Sequence, residues 1–466
     1  MKQSFRNRHV MILGMARSGI AAAKLLSDDG AFVRINDLKT EEQLSEAIKP
    51  LKGIENIEWR LGEKAEDVLD GIDVLVISPG VPIESSVVKT ARDKGIEVIG
   101  ELELSYRMSE GWLVCITGTN GKTTTTTLTG EIFKAAGKKT YVVGNIGYPY
   151  AAVAGEAKQD DVIVCEASSF QMESVDQFRP NVSCITNIRE DHLNRHHTME
   201  CYARTKAHIF RRQDENDVLV LNYNDEYLRN LAKTAKATVV WFGNDRKNNN
   251  VPPFGAFELD GSIVYGTKEK HEVVCGTDEL LIPGPHNLEN TMAAVAMAMA
   301  SGVSAQAAAE AIRSFKGVEH RVEFVRELAG VRFVDDSEGT NADSTQKAVE
   351  TMTAPSVLIL GGSDKKNDFT ELCKGIKDSP YIDSVVLIGQ TAAQFDETLK
   401  KVGFTGSIYN LGRDFEGAIK KAFALCPKGG SVLLSPACAS FDMFHNCEER
   451  GDIFKDIVNK LTEDDI

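Results

Sequence analysis

Short apolar runs recur along the chain, each closed by glycine, proline or asparagine and separated from the next by a stretch of helical spacing. In the first hundred residues, runs at 9–14, 31–36 and 73–78 read as buried strands, and a glycine turn from Gly14 to Gly19 leads into a helix over 20–26. A second series starts at 112–117 and continues at 141–143, 162–165 and 182–186, after which Gly284-Pro285-His286-Asn287 introduces an alanine-rich helix over 288–301. A third series has strands at 332–334, 357–360, 385–388 and 431–434. Strands alternating with helices predict parallel sheets that hold ligands at the carboxyl ends of their strands. Polar segments near 105–111 and 314–319 separate the series and predict three α/β domains, over 1–108, 109–316 and 317–466. Residues 244–255, rich in asparagine and proline, read as a loop.

Composition narrows the function. A length of 466 residues suits about three domains, and 42% hydrophobic with 26% charged residues excludes a disordered or fibrous chain. The 53 basic and 68 acidic side chains sum to −15, which excludes general nucleic-acid affinity. A polyanionic ligand must therefore be met by a local cluster of positive groups or by metal ions. No apolar stretch reaches membrane-spanning length, and the polar, basic N-terminus carries no secretory signal, so no membrane insertion and a cytoplasmic location are expected. The nine cysteines form no C-x-x-C pair, and Cys115, Cys165 and Cys184 sit in strand-like runs, where reduced buried thiols are expected.

The strongest chemical signal is Thr117-Gly118-Thr119-Asn120-Gly121-Lys122-Thr123-Thr124, between a strand and a helix. Glycines let backbone N–H groups approach a triphosphate, the helix N-terminus adds positive potential, Lys122 reaches the terminal phosphates and Thr123 can ligate Mg²⁺. Ile116 stands where the first glycine of the standard phosphate loop would fall, yet the strand–helix context makes this an ATP site. The turn Gly14-Met15-Ala16-Arg17-Ser18-Gly19 imitates a dinucleotide fingerprint without its middle glycine, and Asp37 stands where a ribose-binding acid is expected. A nicotinamide dinucleotide or a uridine nucleotide would suit that crevice, and tight packing of helix on strand is the plainer alternative.

Glu166 ends a strand beside the ATP loop and is suited to hold Mg²⁺. In Glu190-Asp191-His192, His192 reads as a metal or phosphate ligand, while His196 and His197 read as solvated side chains. Lys206 falls in a helix expected over 199–212, where a surface charge paired with Glu200 or Asp214 is the unadorned reading.

Taken together, 117–124, Glu166-Ala-Ser-Ser-Phe-Gln171, Thr186-Asn187 with Asp191-His192, and Pro285-His286-Asn287-Leu-Glu-Asn290 resemble the ADP-forming Mur ligases. The likeness extends to Ser78-Pro79-Gly80, Gly144-Asn145-Ile146-Gly147, His320-Arg321, Asp336-Ser337 and 434–442, and so covers nearly the whole chain. It implies an N-terminal Rossmann-like domain, a central P-loop ATPase-type parallel sheet and a C-terminal Rossmann-like domain. The implied activity is an ATP-dependent amide ligase adding D-glutamate to UDP-N-acetylmuramoyl-L-alanine through an acyl phosphate, in peptidoglycan precursor synthesis. The alternative is another ADP-forming amino-acid ligase, such as folylpolyglutamate synthase.

The resemblance also implies a division of labour among residues. The UDP moiety would meet Met15, Ala16, Asp37, Leu38 and Gly80, with Asn145 reaching the same substrate. ATP would be held by Gly118, Thr119, Asn120, Gly121, Lys122, Thr123, Thr124, Asn287, Asn290, Arg321 and Asp336. D-glutamate would contact Thr340, Lys365, Ser440 and Phe441, helped by a helix N-terminus after Ala437. Lys122, Glu166, His192 and Lys206 would be catalytic, and Thr123, Glu166, His192 and a carbamylated Lys206 would hold Mg²⁺. A monomer is expected. Two positions depart from the family pattern: Glu338 stands where a lysine is usual, and Cys447 where some relatives carry an aromatic residue.

Overall fold

The computed structural model describes residues 2–465 apart from 246, 247, 249, 283 and 364–367. It divides into two units, residues 1–315 and 316–466. The first unit contains two sheets. Strands β1 (His9–Leu13), β2 (Phe32–Asp37), β3 (Ile57–Leu61), β4 (Val74–Ile77) and β5 (Glu97–Gly100) form an all-parallel sheet in the order β3-β2-β1-β4-β5. The strand order reverses at β1, which opens a crevice at the carboxyl ends of β1 and β4. Every residue of β4 is buried, as expected of a parallel strand covered on both faces.

The second sheet contains β6 (Trp112–Thr117), β7 (Thr140–Gly144), β8 (Val162–Glu166), β9 (Val182–Ile185), β10 (Val218–Asn222), β11 (Thr238–Phe242), β12 (Gly255–Leu259), β13 (Ser262–Gly266) and β14 (His271–Gly276). Their order is β14-β13-β12-β11-β10-β9-β6-β8-β7, and only the β12-β13-β14 meander is antiparallel. β6 lies between β9 and β8, so the glycine loop that follows it emerges at the switch point of this sheet.

Residues 316–466 form a six-stranded sheet from β15 (Glu323–Leu328), β16 (Val331–Asp335), β17 (Ser356–Gly361), β18 (Ile382–Ile388), β19 (Ser407–Gly412) and β20 (Ser431–Leu434). The order is β15-β16-β20-β17-β18-β19, with β15 alone antiparallel. Helices on both faces close two apolar clusters over the fully buried β17 and β20. Among the described residues no helix is long and apolar enough to cross a membrane.

Several expected elements are shifted. The first helix runs Arg17–Asp29, longer at both ends than 20–26. The alanine-rich helix is Pro285–Ala300, because Pro285 sits in the first turn, where its missing N–H is not needed. The helix expected over 199–212 stops at Ala207 and tightens into a 3₁₀ turn, His208–Phe210, which buries Ile209 and Phe210. No helix starts directly after Ala437. That residue takes a left-handed φ of 58°, Ser440 closes a turn by accepting from the N–H groups of Met443 and Phe444, and the helix begins at Cys447 under an Asn446 cap.

Candidate functional site

The loop expected to hold ATP is shaped by two glycines that nothing else could replace. Gly118 has φ +147° and Gly121 φ +79°. A Cβ on Gly118 would stand 1.9 Å from Thr186 Oγ1, and one on Gly121 2.2 Å from Asn290 Oδ1. Gly121 then serves as N-cap of the helix Lys122–Ala135 without a capping side chain, and a helix start of this kind attracts anions.

The loop is braced from the strand beside it. Thr186 Oγ1 and Asn187 Nδ2 donate to Asn120 O at 2.6 and 3.1 Å, and Asn120 N donates to Asn187 Oδ1 at 3.0 Å. Tyr202 and Thr119 share a hydrogen bond of 3.1 Å between their hydroxyls. Lys122 Nζ donates to Thr119 O at 2.8 Å, and Thr123 and Thr124 are buried. Asn290 Nδ2 donates to Asn287 Oδ1 at 3.3 Å, so the two asparagines expected at the nucleotide stand together, with Asn290 against Gly121.

Glu166 ends β8 and is 1% exposed. Its Oε1 accepts from Asn145 Nδ2 at 2.9 Å, while its buried Oε2 has no hydrogen-bond partner among the described residues. A buried carboxylate oxygen without a donor calls for a cation. Asn145 thus lies against Glu166 in this structure. The Glu166 carboxylate and the Thr123 hydroxyl are each hard oxygen donors of the type that suits Mg²⁺.

Lys206 corrects the surface-charge reading. It is 2% exposed, Nζ donates to Gly118 O at 2.7 Å, and the ammonium stands 4.8 Å from the Tyr202 ring centre. Among the described residues it makes no ion pair with Glu200 or Asp214. Burial, reinforced by Lys122, pushes its pKa well below the ordinary lysine value against the pull of Asp191 and Glu166. His192 takes a left-handed φ of 53° and packs against Phe170, ring centres 4.8 Å apart. Desolvation holds its pKa below the usual histidine value, Asp191 opposes this, and Lys206 and Lys122 add to it. Lys122, Glu166, His192 and Lys206 are therefore one electrostatic group. As an ammonium, Lys206 cannot itself be a metal ligand.

His196 is buried rather than solvated, because Ser169 Oγ meets its Nε2 at 2.9 Å; His197 is exposed as expected. Sequence reasoning gave no role to Asp191, Tyr202 or Asn187. Tyr202 lies one helical turn before Lys206, a spacing that could have revealed it.

At the first sheet, Gly14 has φ +99°, and a Cβ on Gly19 would stand 2.0 Å from Gly14 O. Asp37 accepts from Met15 N at 2.8 Å and Lys39 N at 2.9 Å, so its carboxylate shapes the turn that would receive a nucleotide. Met15 is buried, Leu38 is exposed, and Gly80 faces open space in the loop after β4.

In residues 316–466, Arg321 Nη2 lies 3.0 Å from Glu338 Oε2, so the departure at 338 engages the guanidinium expected at the nucleotide. Ser440 is buried, with an Oγ that has no hydrogen-bond partner among the described residues, and Phe441 is exposed. Thr340 N donates to Glu338 O at 2.8 Å. Cys447 O accepts from Ser337 Oγ at 2.7 Å, and burial pushes the Cys447 thiol up to about 11. Lys365 lies outside the described residues. His320 is flanked by Glu319, Glu323, Asp335 and Asp452, but Lys455 pairs with three of these carboxylates and already supplies the cation.

Burial pushes the Asp336 carboxyl up to about 7, although the Ser435 hydroxyl at 2.6 Å and nearby Arg321 pull it down. Between about pH 4 and 7 the folded chain therefore keeps a proton that the unfolded chain has lost. The contribution of this group to stability is fullest below about pH 4 and falls as pH rises to 7, by at most about 1.4 kcal/mol per unit. Asp336→Asn is expected to gain Tm relative to the parent between pH 5 and pH 7, measured by calorimetry on the full chain. A Tm difference independent of pH would contradict the assignment.

Residues 8–100 match the Mur ligase MurD-like N-terminal domain, 116–298 the Mur ligase middle domain, and 320–438 the Mur ligase glutamate ligase domain. The chain is 45% identical over 456 residues to the UDP-N-acetylmuramoylalanine--D-glutamate ligase of Thermoanaerobacter sp. (strain X514), covering 98% of this chain and 99% of that one. It is 44% identical over 457 residues to the protein of the same name from Clostridioides difficile (strain 630), with the same coverage. In fold it is similar to the UDP-N-acetylmuramate-alanine ligase MurC of Thermotoga maritima, with TM-score 0.60 and 18% identity over 97% of this chain and 99% of that one. On this evidence of sequence and fold, the chain belongs to the Mur ligase family.

Proposed function

We propose that the protein is an ATP-dependent ligase that joins D-glutamate to the L-alanyl carboxylate of UDP-N-acetylmuramoyl-L-alanine, releasing ADP and phosphate. The observation that carries this reading is the match along 98% of the chain to ligases of that name. The folylpolyglutamate alternative is not favoured, because residues 8–100 match the N-terminal domain of a muramoyl ligase. The working division is 1–108 for the UDP substrate, 109–316 for ATP and 317–466 for the amino acid. A monomeric cytoplasmic enzyme without membrane insertion fits this reading.

A carboxylate forms an amide at neutral pH only after its oxygen becomes a leaving group. The L-alanyl carboxylate attacks the γ-phosphorus of ATP, the bond to the bridging oxygen breaks, and ADP leaves. The D-glutamate amine then attacks the acyl phosphate, expels inorganic phosphate and loses a proton. Backbone N–H groups from Gly118 to Thr124 and the Lys122 ammonium neutralise the β- and γ-phosphates, which is mainly positioning and charge stabilisation. Asn287 and Asn290 hold the nucleotide, and Arg321 and Asp336 are the further residues that the family resemblance assigns to ATP. Met15, Ala16, Asp37, Leu38 and Gly80 receive the uridine nucleotide, with Asn145 contacting the same substrate. Thr340, Lys365, Ser440 and Phe441 bind D-glutamate. Thr123, Glu166, His192 and a carbamylated Lys206 would hold Mg²⁺, which when bound draws negative charge off the transferring phosphoryl group.

Amino-acid selectivity tests the reading. Turnover with D-glutamate should exceed that with L-glutamate or D-aspartate by at least roughly ten-fold, about 1.4 kcal/mol in the barrier. Equal turnover with L-glutamate would overturn it.

A further inference from the structure

The turn after His192 contains a buried polar side chain for which the reaction above has no task. His196 is 2% exposed. Its Nε2 lies 2.9 Å from Ser169 Oγ and its Nδ1 3.7 Å from Glu173 Oε1. Glu173 is fixed in turn by the Arg195 guanidinium, whose Nε donates at 3.1 Å, and Arg195 also donates to Pro79 O and Val81 O at 3.2 Å. A buried imidazole is costly unless both nitrogens find partners. The Ser169 hydroxyl satisfies Nε2, and the Glu173 carboxylate faces Nδ1 from just beyond hydrogen-bond distance.

The ring also joins two walls of the ATP site. It stacks on Phe170 at 5.7 Å and tilts against Tyr202 at 5.3 Å. Phe170 is the ring against which His192 packs, and Tyr202 bonds Thr119 in the ATP loop while its ring faces the Lys206 ammonium. Ser169 lies three residues after Glu166, at the start of a short turn capped by Ser168. The sequence Ser–His–carboxylate also describes a hydrolase nucleophile, but Ser169 is as buried as His196 and opens to no substrate.

We infer that His196 is a positioning residue for the ligase reaction: through Ser169 and Tyr202 it holds the segment after Glu166 in fixed relation to the ATP loop. The inference rests on the ligase reading above. Misplacing reacting groups by about 1 Å lowers rates by roughly a hundred-fold without abolishing binding. The effect therefore falls on kcat.

The experiment compares the parent enzyme with His196→Phe, His196→Gln, Ser169→Ala and His196→Phe/Ser169→Ala in steady-state phosphate release, well below each variant's Tm. His196→Phe keeps the ring stacking and loses the hydrogen bond. Its kcat should fall roughly a hundred-fold, with the KM values for ATP and the UDP substrate within about three-fold of the parent. His196→Gln can still bond Ser169 and should recover at least about ten-fold of that loss. Ser169→Ala, the milder change, should lower kcat in the same direction, and the double variant should be no slower than His196→Phe, since both remove one interaction. The inference is overturned if His196→Phe keeps kcat within about three-fold, if His196→Gln is no faster than His196→Phe, or if the single effects multiply. If His196→Phe does not fold, an unchanged kcat in Ser169→Ala overturns it alone. A parent enzyme without D-glutamate-dependent phosphate release defeats the ligase reading instead, which separates the two failures.

Discussion

Lys122→Ala is expected to lower phosphate release by roughly a thousand-fold or more, while the protein keeps its fold. Lys122 is the only basic side chain of the segment 117–124, and it extends from the first position of a helix whose start already favours anions. Its Nζ rests on Thr119 O, a backbone acceptor within the same loop, so the fold loses little when the side chain is shortened. What is lost is a charge-assisted contact to phosphates that gain negative charge as the γ-phosphoryl group is transferred. Coupled phosphate release and thermal unfolding check the two halves. Activity within about ten-fold of the parent would mean that the ATP loop works without its lysine.

The second large effect is expected at Lys206. Its amine is buried beside Gly118 O, and its ammonium form is disfavoured by burial and by Lys122. A neutral amine reacts with CO₂: the nitrogen lone pair bonds to carbon, one proton is released, and a carbamate anion results. That anion would supply an oxygen donor where the lysine supplies a positive charge. Mass spectrometry under mild conditions in isotope-labelled bicarbonate should show the gain of one CO₂ on the parent and none on Lys206→Ala. Activity of Lys206→Ala should fall by roughly a thousand-fold. An unmodified parent together with an active Lys206→Ala would exclude the carbamate.

The parallel strands that carry the site were legible because each is a continuous apolar run. The expected 112–117 and 431–434 are the observed β6 and β20, since burial on both faces leaves no alternation to misread. The β12-β13-β14 meander was missed, although Asp260-Gly261, with φ of 48° and 77°, is the two-residue turn that joins antiparallel strands. Its strands mix buried and exposed positions and lie beside an asparagine-rich loop, which hides the period. The expected helix start after Ala437 failed on one backbone angle. An alanine in the left-handed region is rare enough that no residue-type argument finds it.

The glycine loop was legible for a related reason: Gly118, Gly121 and Lys122 by type and order place a tight turn between strand and helix, which is where it is found. Lys206 was different. Nothing in its own neighbours separates a surface lysine from one buried under the ATP loop, and only tertiary packing brings it to Gly118 O. His196 failed in the same sense, because a polar stretch predicts solvation while Ser169 and Glu173 are supplied from elsewhere in the chain. The Arg321–Glu338 pair was beyond reach, since opposite charges seventeen residues apart carry no sign of contact.

Phosphate release measured with ATP, UDP-N-acetylmuramoyl-L-alanine and D-glutamate, and with each one omitted in turn, tests the central claim most directly. Sustained release that requires all three, with ADP and the amide product formed in equal amounts, is the predicted result. Sustained release that continues at the same rate without D-glutamate or without the UDP substrate would contradict it.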